Sequence, residues 1–177
     1  MSDKPRVIIV DDDSMLCSVF KEGLLASGYY CETAISGKSA LELIGKTSFD
    51  VMVTDIIMPG MDGLELTEKA KKITSDLAII VMTGFQQEES YERAVAAGAS
   101  DFIKKPFHVN ELLVRINRVM RDARILSEIR LKQEEVRTIS REMIAGMQDE
   151  ASKRISDLES EIINLRKNIS ESRVLHS

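Results

Sequence analysis

The sequence predicts an α/β fold: a doubly wound, five-stranded parallel sheet with helices on both faces, continued by a long helical extension. Three observations predict it. Short apolar runs alternate with amphipathic stretches across residues 1–120. Three of the runs are Val/Ile-rich and do not alternate with polar residues, as expected of strands buried on both faces. Beyond residue 120 there is one Gly and no Pro, while a spaced apolar stripe continues.

The strands are expected at Arg6–Val10, Tyr29–Ala34, Asp50–Thr54, Leu77–Met82 and Ser100–Lys104. Helices are expected over Ser14–Ser27, Ser36–Lys46, Leu64–Lys72 and Glu88–Ala97, with a fifth beginning near Val109. Ser14 and Asn110 stand where N-caps belong, and Gly28 and Gly98 where helices should stop. Strand and helix in repeated alternation give right-handed crossovers and a layered sandwich.

Composition bounds the function. The chain has 177 residues, 44% hydrophobic and 30% charged, enough apolar content to bury a core. No apolar run reaches the length of a membrane-spanning helix, so no membrane association is expected. The opening MSDKPR runs straight into a strand without an apolar signal core, so secretion is not expected. Cys17 and Cys31 form neither a CxxC pair nor a disulfide framework, which fits the cytoplasm. The net charge of −5 is unevenly placed: residues 1–120 carry 13 Lys/Arg against 18 Asp/Glu, whereas residues 121–177 carry 11 of each. No Phe, Tyr or Trp follows Phe107. The expected division is therefore a domain over 1–122 and a helical, coiled-coil extension over 123–177.

In the extension, Leu112, Ile116, Val119, Ala123 and Leu126 follow alternating spacings of four and three, so the fifth helix has no evident stop. Ile129, Val136, Ile139 and Met143 resume the stripe in a shifted register, and Ile155, Leu158, Ile162, Leu165 and Ile169 form a heptad seam. Met143, Met147, Ala151 and Ile155 lie four apart, a local drift in phase. Gly146 within that drift suggests a kink, or a turn between antiparallel arms. Homodimerisation through this tail is expected, as a parallel coiled coil or as a hairpin that packs on itself or on a second hairpin. A single solvated helix is the alternative.

Ligands of an open parallel sheet collect at the carboxyl ends of its strands. There the first strand delivers Asp11, Asp12 and Asp13, the third Asp55, the fourth Thr83, and the fifth Lys104 and Lys105. Asp11, Asp12 and Asp55 brought together repel, unless a cation is present. A hard divalent ion with oxygen ligands, magnesium above all, resolves that repulsion and also neutralises phosphoryl oxygens. One carboxylate is then free to attack phosphorus, with a lysine and a hydroxyl holding the remaining oxygens.

The segments VIIVDDD, DVMVTDIIMPGMDG, IIVMTGF and DFIKKPF together resemble the receiver domain of two-component response regulators, of the chemotaxis-regulator type, over residues 5 to about 122. The resemblance implies a flavodoxin-like receiver sheet in the order 2-1-3-4-5. It implies Asp55 as phosphoacceptor, and magnesium (or manganese) held by Asp11, Asp12, Asp55 and the Ile57 backbone carbonyl. Thr83 would be the switch hydroxyl, Lys105 the phosphoryl-contacting lysine before a usually cis Pro106, and Phe102 the aromatic switch. Phe102 is otherwise a core aromatic of the last strand. Ile57 and Phe85 occupy positions that set phosphoryl lifetime; both are apolar and neither can position a water, so autodephosphorylation is expected to be slow. The Met58–Gly63 stretch resembles the loop following the phosphorylation site, with a mostly geometric role.

The implied partners are a histidine kinase or phosphotransfer protein. Output is expected by protein–protein contact through the tail and the face of the fourth helix, fifth strand and fifth helix. The activity expected is not that of an enzyme, beyond self-phosphorylation and autodephosphorylation. The tail's balanced charge and lack of aromatics argue against sequence-specific nucleic-acid binding. A receiver fragment of a larger regulator is one alternative. A haloacid-dehalogenase-type phosphatase would use Asp11 and Asp13 with Lys105, but residues 106–120 offer only Glu111 as a further acid. A flavin carrier is disfavoured, because three aspartates in the first loop repel phosphate.

Overall fold

A computed structural model describes residues 4–84 and 90–174, with side chains described over 4–84 and 91–167. In chain order the elements are β1 (Arg6–Val10), α1 (Ser14–Ala26), β2 (Tyr30–Ala34), α2 (Gly37–Ile44), β3 (Val51–Asp55), α3 (Gly63–Ile73), β4 (Ala78–Thr83), α4 (Ser90–Ala97), β5 (Asp101–Lys104) and α5 (Val109–Val174). Every expected element forms, with ends shifted by a residue or two where described. The chain divides into two units, Met1–Leu126 and Ser127–Ser177.

The five strands are parallel, in the order β2-β1-β3-β4-β5. Their Val/Ile runs lack alternation because both faces are covered, and successive side chains enter different cores. Val7 and Ile9 of β1, Val51 and Val53 of β3, and Ala78, Ile80 and Met82 of β4 face one side. There they meet Cys17, Phe20 and Leu24 of α1 and Leu112, Ile116 and Val119 of α5. Ile8, Val10, Met52, Ile79 and Val81 face the other, against Ala40 and Ile44 of α2, Leu64, Leu66 and Ala70 of α3, and Ala94 of α4. The first core is extended by stacked Phe20 and Phe107 rings, 5.0 Å apart. The Tyr29 hydroxyl donates to Asn117 Oδ1 at 2.8 Å and ties the entry to β2 onto α5.

Two cap assignments are corrected. Ser14 is the first residue of α1, and the N-cap is Asp13, whose carboxylate accepts from the Met15 and Leu16 N–H groups at 2.9 and 3.2 Å. Both residues are good caps; the carboxylate also meets the positive end of the helix dipole. Asn110 lies inside α5, where the His108 carbonyl accepts from the Glu111 N–H at 3.0 Å. Gly28 and Gly98 do end their helices, at φ +89° and +98°, and the Tyr29 and Ala99 N–H groups return to the Leu24 and Ala94 carbonyls.

Within Ser127–Ser177 the described residues are helical to Val174, and Gly146 causes no break. The turn required for an antiparallel hairpin does not form. Lys132–Glu135 at 3.0 Å and Arg137–Glu134 at 3.7 Å decorate this unit's surface, and such exposed pairs contribute little stability each.

Both cysteines are buried and free. Loss of solvation, chiefly, pushes the Cys17 thiol up to about 11 and the Cys31 thiol up to about 12. Neither is a reactive thiolate at neutral pH. Ellman's reagent is expected to leave both unmodified in the native protein and to titrate both in guanidinium; rapid native labelling of either would contradict this packing.

Candidate functional site

The sheet order reverses at β1. The chain leaves β1 for β2 on one side, then returns with β3 on the other, which opens a crevice past the carboxyl ends of β1 and β3. Asp55 is the last residue of β3, and Asp11 follows the last residue of β1. Parallel pairing of Val10 with Thr54 brings these two ends level.

Asp11, Asp12 and Asp55 each offer a carboxylate oxygen, all within 4.8 Å of one another. Asp11 is buried, Asp55 half-buried and Asp12 exposed. The Asp11 backbone is pinned to β2 through the Ala34 carbonyl at 3.2 Å. Its Oδ1 accepts from the Asp13 N–H at 2.9 Å. Asp55 Oδ1 accepts from the Ile56 N–H at 2.9 Å.

Lys105 closes the group. Its Nζ lies 2.7 Å from Asp11 Oδ2 and 3.1 Å from Asp55 Oδ2. Its N–H donates to the Thr83 carbonyl at 2.8 Å, and its peptide bond to Pro106 is cis. Burial pushes the Asp55 carboxyl above the usual aspartate range, and the Lys105 charge only partly offsets this. For Lys105, burial favours the neutral amine, but the hydrogen bond to Asp11 and the charges of Asp55 and Asp11 outweigh it and hold the ammonium above its ordinary value.

Three carboxylates against one ammonium leave a strongly negative, oxygen-lined recess. That donor set suits a small, hard divalent cation and offers nothing to a soft one. Chemically, the recess can present an oxygen nucleophile beside a cation and a hydrogen-bond donor.

The other expected site residues divide. Thr83, the last residue of β4, is buried, and β4 lies beside β3 with Met82 paired to Asp55. It therefore stands at the same rim as the acids. Ile57 follows Asp55 by two and is 66% exposed. Phe85 lies outside the described residues. Phe102 is not a core aromatic: it is 38% exposed, and its ring meets the Tyr91 ring edge-on, centroids 4.6 Å apart. On β5 only Ile103 points into the core, which turns Phe102 outward. Tyr91, which the sequence did not single out, is the contact that holds the ring there. Its signal was slight, a lone aromatic among the alanines of α4.

Position 63 is set by the backbone of Asp55. The Gly63 N–H donates to the Ile56 carbonyl at 2.9 Å, and any Cβ at this position would collide with the Asp55 carbonyl oxygen. Asp62 then caps α3 by accepting from the Glu65 N–H at 2.8 Å. The Met58–Gly63 loop thus fixes how Asp55 is presented.

Comparison with known proteins agrees with this geometry. The family model described as the response regulator receiver domain matches residues 7–117. The chain is 35% identical over 116 residues to the response regulator MprA of Mycolicibacterium vanbaalenii, covering 66% of this chain and 50% of that one. It is 31% identical to MprA of Mycobacterium bovis, with 96% of this chain and 77% of the relative covered. The chain spans about half the length of the first curated relatives it matches. Among solved structures, a CheY-like receiver domain protein from Methanospirillum hungatei superposes with a TM-score of 0.66 at 32% identity, over 69% of this chain and 98% of that one.

Gly63→Ala is expected to destabilise the fold by about 2 kcal/mol or more, because the clash is with backbone that cannot rotate away. A lowered urea midpoint with an unchanged slope would register it; an unchanged midpoint would refute the close approach.

Proposed function

The chain belongs to the response regulator receiver family of two-component systems, and on that premise we propose that Asp55 accepts a phosphoryl group from a histidine kinase or phosphotransfer protein. The convergence of Asp11, Asp12, Asp55 and Lys105 on one recess carries this reading. Family membership favours it over the phosphatase and flavin-carrier alternatives.

Transfer is a displacement at phosphorus. An Asp55 carboxylate oxygen forms the new O–P bond while the bond from phosphorus to the donor's histidine nitrogen breaks, and the nitrogen keeps the electron pair. Asp11, Asp12 and Asp55 would hold magnesium (or manganese), with the Ile57 carbonyl completing the protein ligands. When bound, the ion supplies positive charge to the transferring oxygens. The Lys105 ammonium, already bonded to both Asp11 and Asp55, is a fitting donor to a phosphoryl oxygen. The Thr83 hydroxyl supplies a second donor. Its movement toward the phosphoryl group would leave space for Phe102 to turn inward from its contact with Tyr91. The surface of α4, β5 and α5 changes with it.

The reading extends to the tail. Exposed apolar side chains from Ile129 to Leu165 support association of two copies and signalling by protein contact. No helix among the described residues is long and apolar enough to cross a membrane.

Incubation with acetyl phosphate and magnesium is expected to add one phosphoryl group, detected by Phos-tag gel shift and intact mass. Asp55→Asn abolishes it, and Lys105→Ala slows it by about 100-fold. Asp12→Asn raises the magnesium concentration needed for half-maximal labelling. Full labelling of Asp55→Asn would refute the assignment. Release of phosphate after loading is expected to be slow, since neither Ile57 nor Phe85 can orient an attacking water. A phosphoryl lifetime of seconds would overturn that part alone.

A further inference from the structure

In the Ser127–Ser177 unit, four side chains of the helix form a row that one chain leaves in water. Ile155, Leu158, Ile162 and Leu165 are between 45% and 58% exposed, at spacings that put them on one stripe of an α-helix. Ile169 continues the same spacing in the sequence. The chemistry of the row selects its cover. With Ile155, Ile162 and Ile169 at the heptad a positions, Leu158 and Leu165 fall at d. β-Branched residues at a with leucine at d favour two parallel strands, whereas leucine at a with isoleucine at d favours more.

The charges beside the row agree independently. Arg154 and Glu161 occupy g positions, and Glu159 and Arg166 occupy e positions. In a parallel, in-register pair each g residue meets the e residue five further along the other chain. Arg154 then faces Glu159 of a second copy, and Glu161 faces Arg166. Both pairs join opposite charges, and the two-fold axis repeats each of them. A second copy of this chain supplies the whole complementary set without any shift in register.

We propose that residues 154–169 form a parallel, in-register, two-stranded coiled coil with a second copy of this chain. This deepens the tail association proposed above and rests on it. It is independent of whether Asp55 is the phosphoacceptor. The seam begins at Arg154 because the apolar spacing of four from Met143 through Met147 and Ala151 to Ile155 departs from the heptad. Parallel pairing brings the N-terminal ends of both helical units together, so both receivers are joined to the same end of the coil.

The test uses the full chain. Leu158→Cys and Leu165→Cys are made separately and oxidised with copper phenanthroline, while the buried Cys17 and Cys31 serve as a silent wild-type background. Both variants are expected to give covalent dimers on a non-reducing gel. An antiparallel pair can bring at most one of these positions opposite itself, so cross-linking of only one, or neither, overturns the parallel register. Light scattering of the wild-type chain at high concentration is expected to give the mass of two chains. A mass of three or four chains overturns the two-stranded form. A single-chain mass at every concentration overturns this inference and the tail association together, with phosphoryl acceptance untouched. Glu161→Arg and Arg166→Glu are each expected to weaken the dimer by about tenfold, with the double variant restored. A double variant as weak as the singles would overturn the g-to-e pairing.

Discussion

Asp11, Asp12 and Asp55 hold carboxylate oxygens within 4.8 Å of one another, and this crowding is the constraint on which the site depends. Left alone, such a trio would protonate or spread apart. Lys105 offsets part of that repulsion, by bonding Asp11 and Asp55 at once. The lysine comes from the strand end farthest along the chain, so the recess is complete only when β1, β3 and β5 are all in place. Its geometry is a product of the sheet as a whole, which is why the acids can be adjacent yet rigid.

The sheet, in turn, is held by two separate cores. Alternate strand residues supply one core with α1 and α5 and the other with α2, α3 and α4. The runs VIIV and AIIVM read as uninterrupted in sequence because both sides are apolar, and that same lack of alternation identified them as interior parallel strands. The acids, Thr83 and Lys105 were equally legible, since a strand's end is visible where its apolar run gives way to polar residues. Sequence alone could thus locate the rim of the site.

What escaped the sequence was decided by geometry beyond one residue's neighbours. Asp13 and Ser14 are both able to cap α1, and only the backbone conformation separates them. Asn110 has a capping side chain, but the loop from Pro106 enters α5 two residues too early for it to serve. Phe102 belongs to a strand of four residues with a single side chain committed to the core, so its aromatic character said nothing about its direction. Gly146 carried a helix-weakening signal of about 1 kcal/mol, too little to interrupt a helix whose neighbours on both sides favour continuation. In each case a weak local preference yielded to the surrounding fold.

The close approach at Gly63 also shapes how this sequence can change. A Cβ is common to every other amino acid, so the collision with the Asp55 carbonyl is indifferent to the chemistry of the replacement. Position 63 has no conservative substitution, and no gradual path leads away from it. The carboxylate at Asp55 can be exchanged for an isosteric amide while the backbone stays as it is. A residue that never touches phosphorus is in this respect less replaceable than the one proposed to carry it.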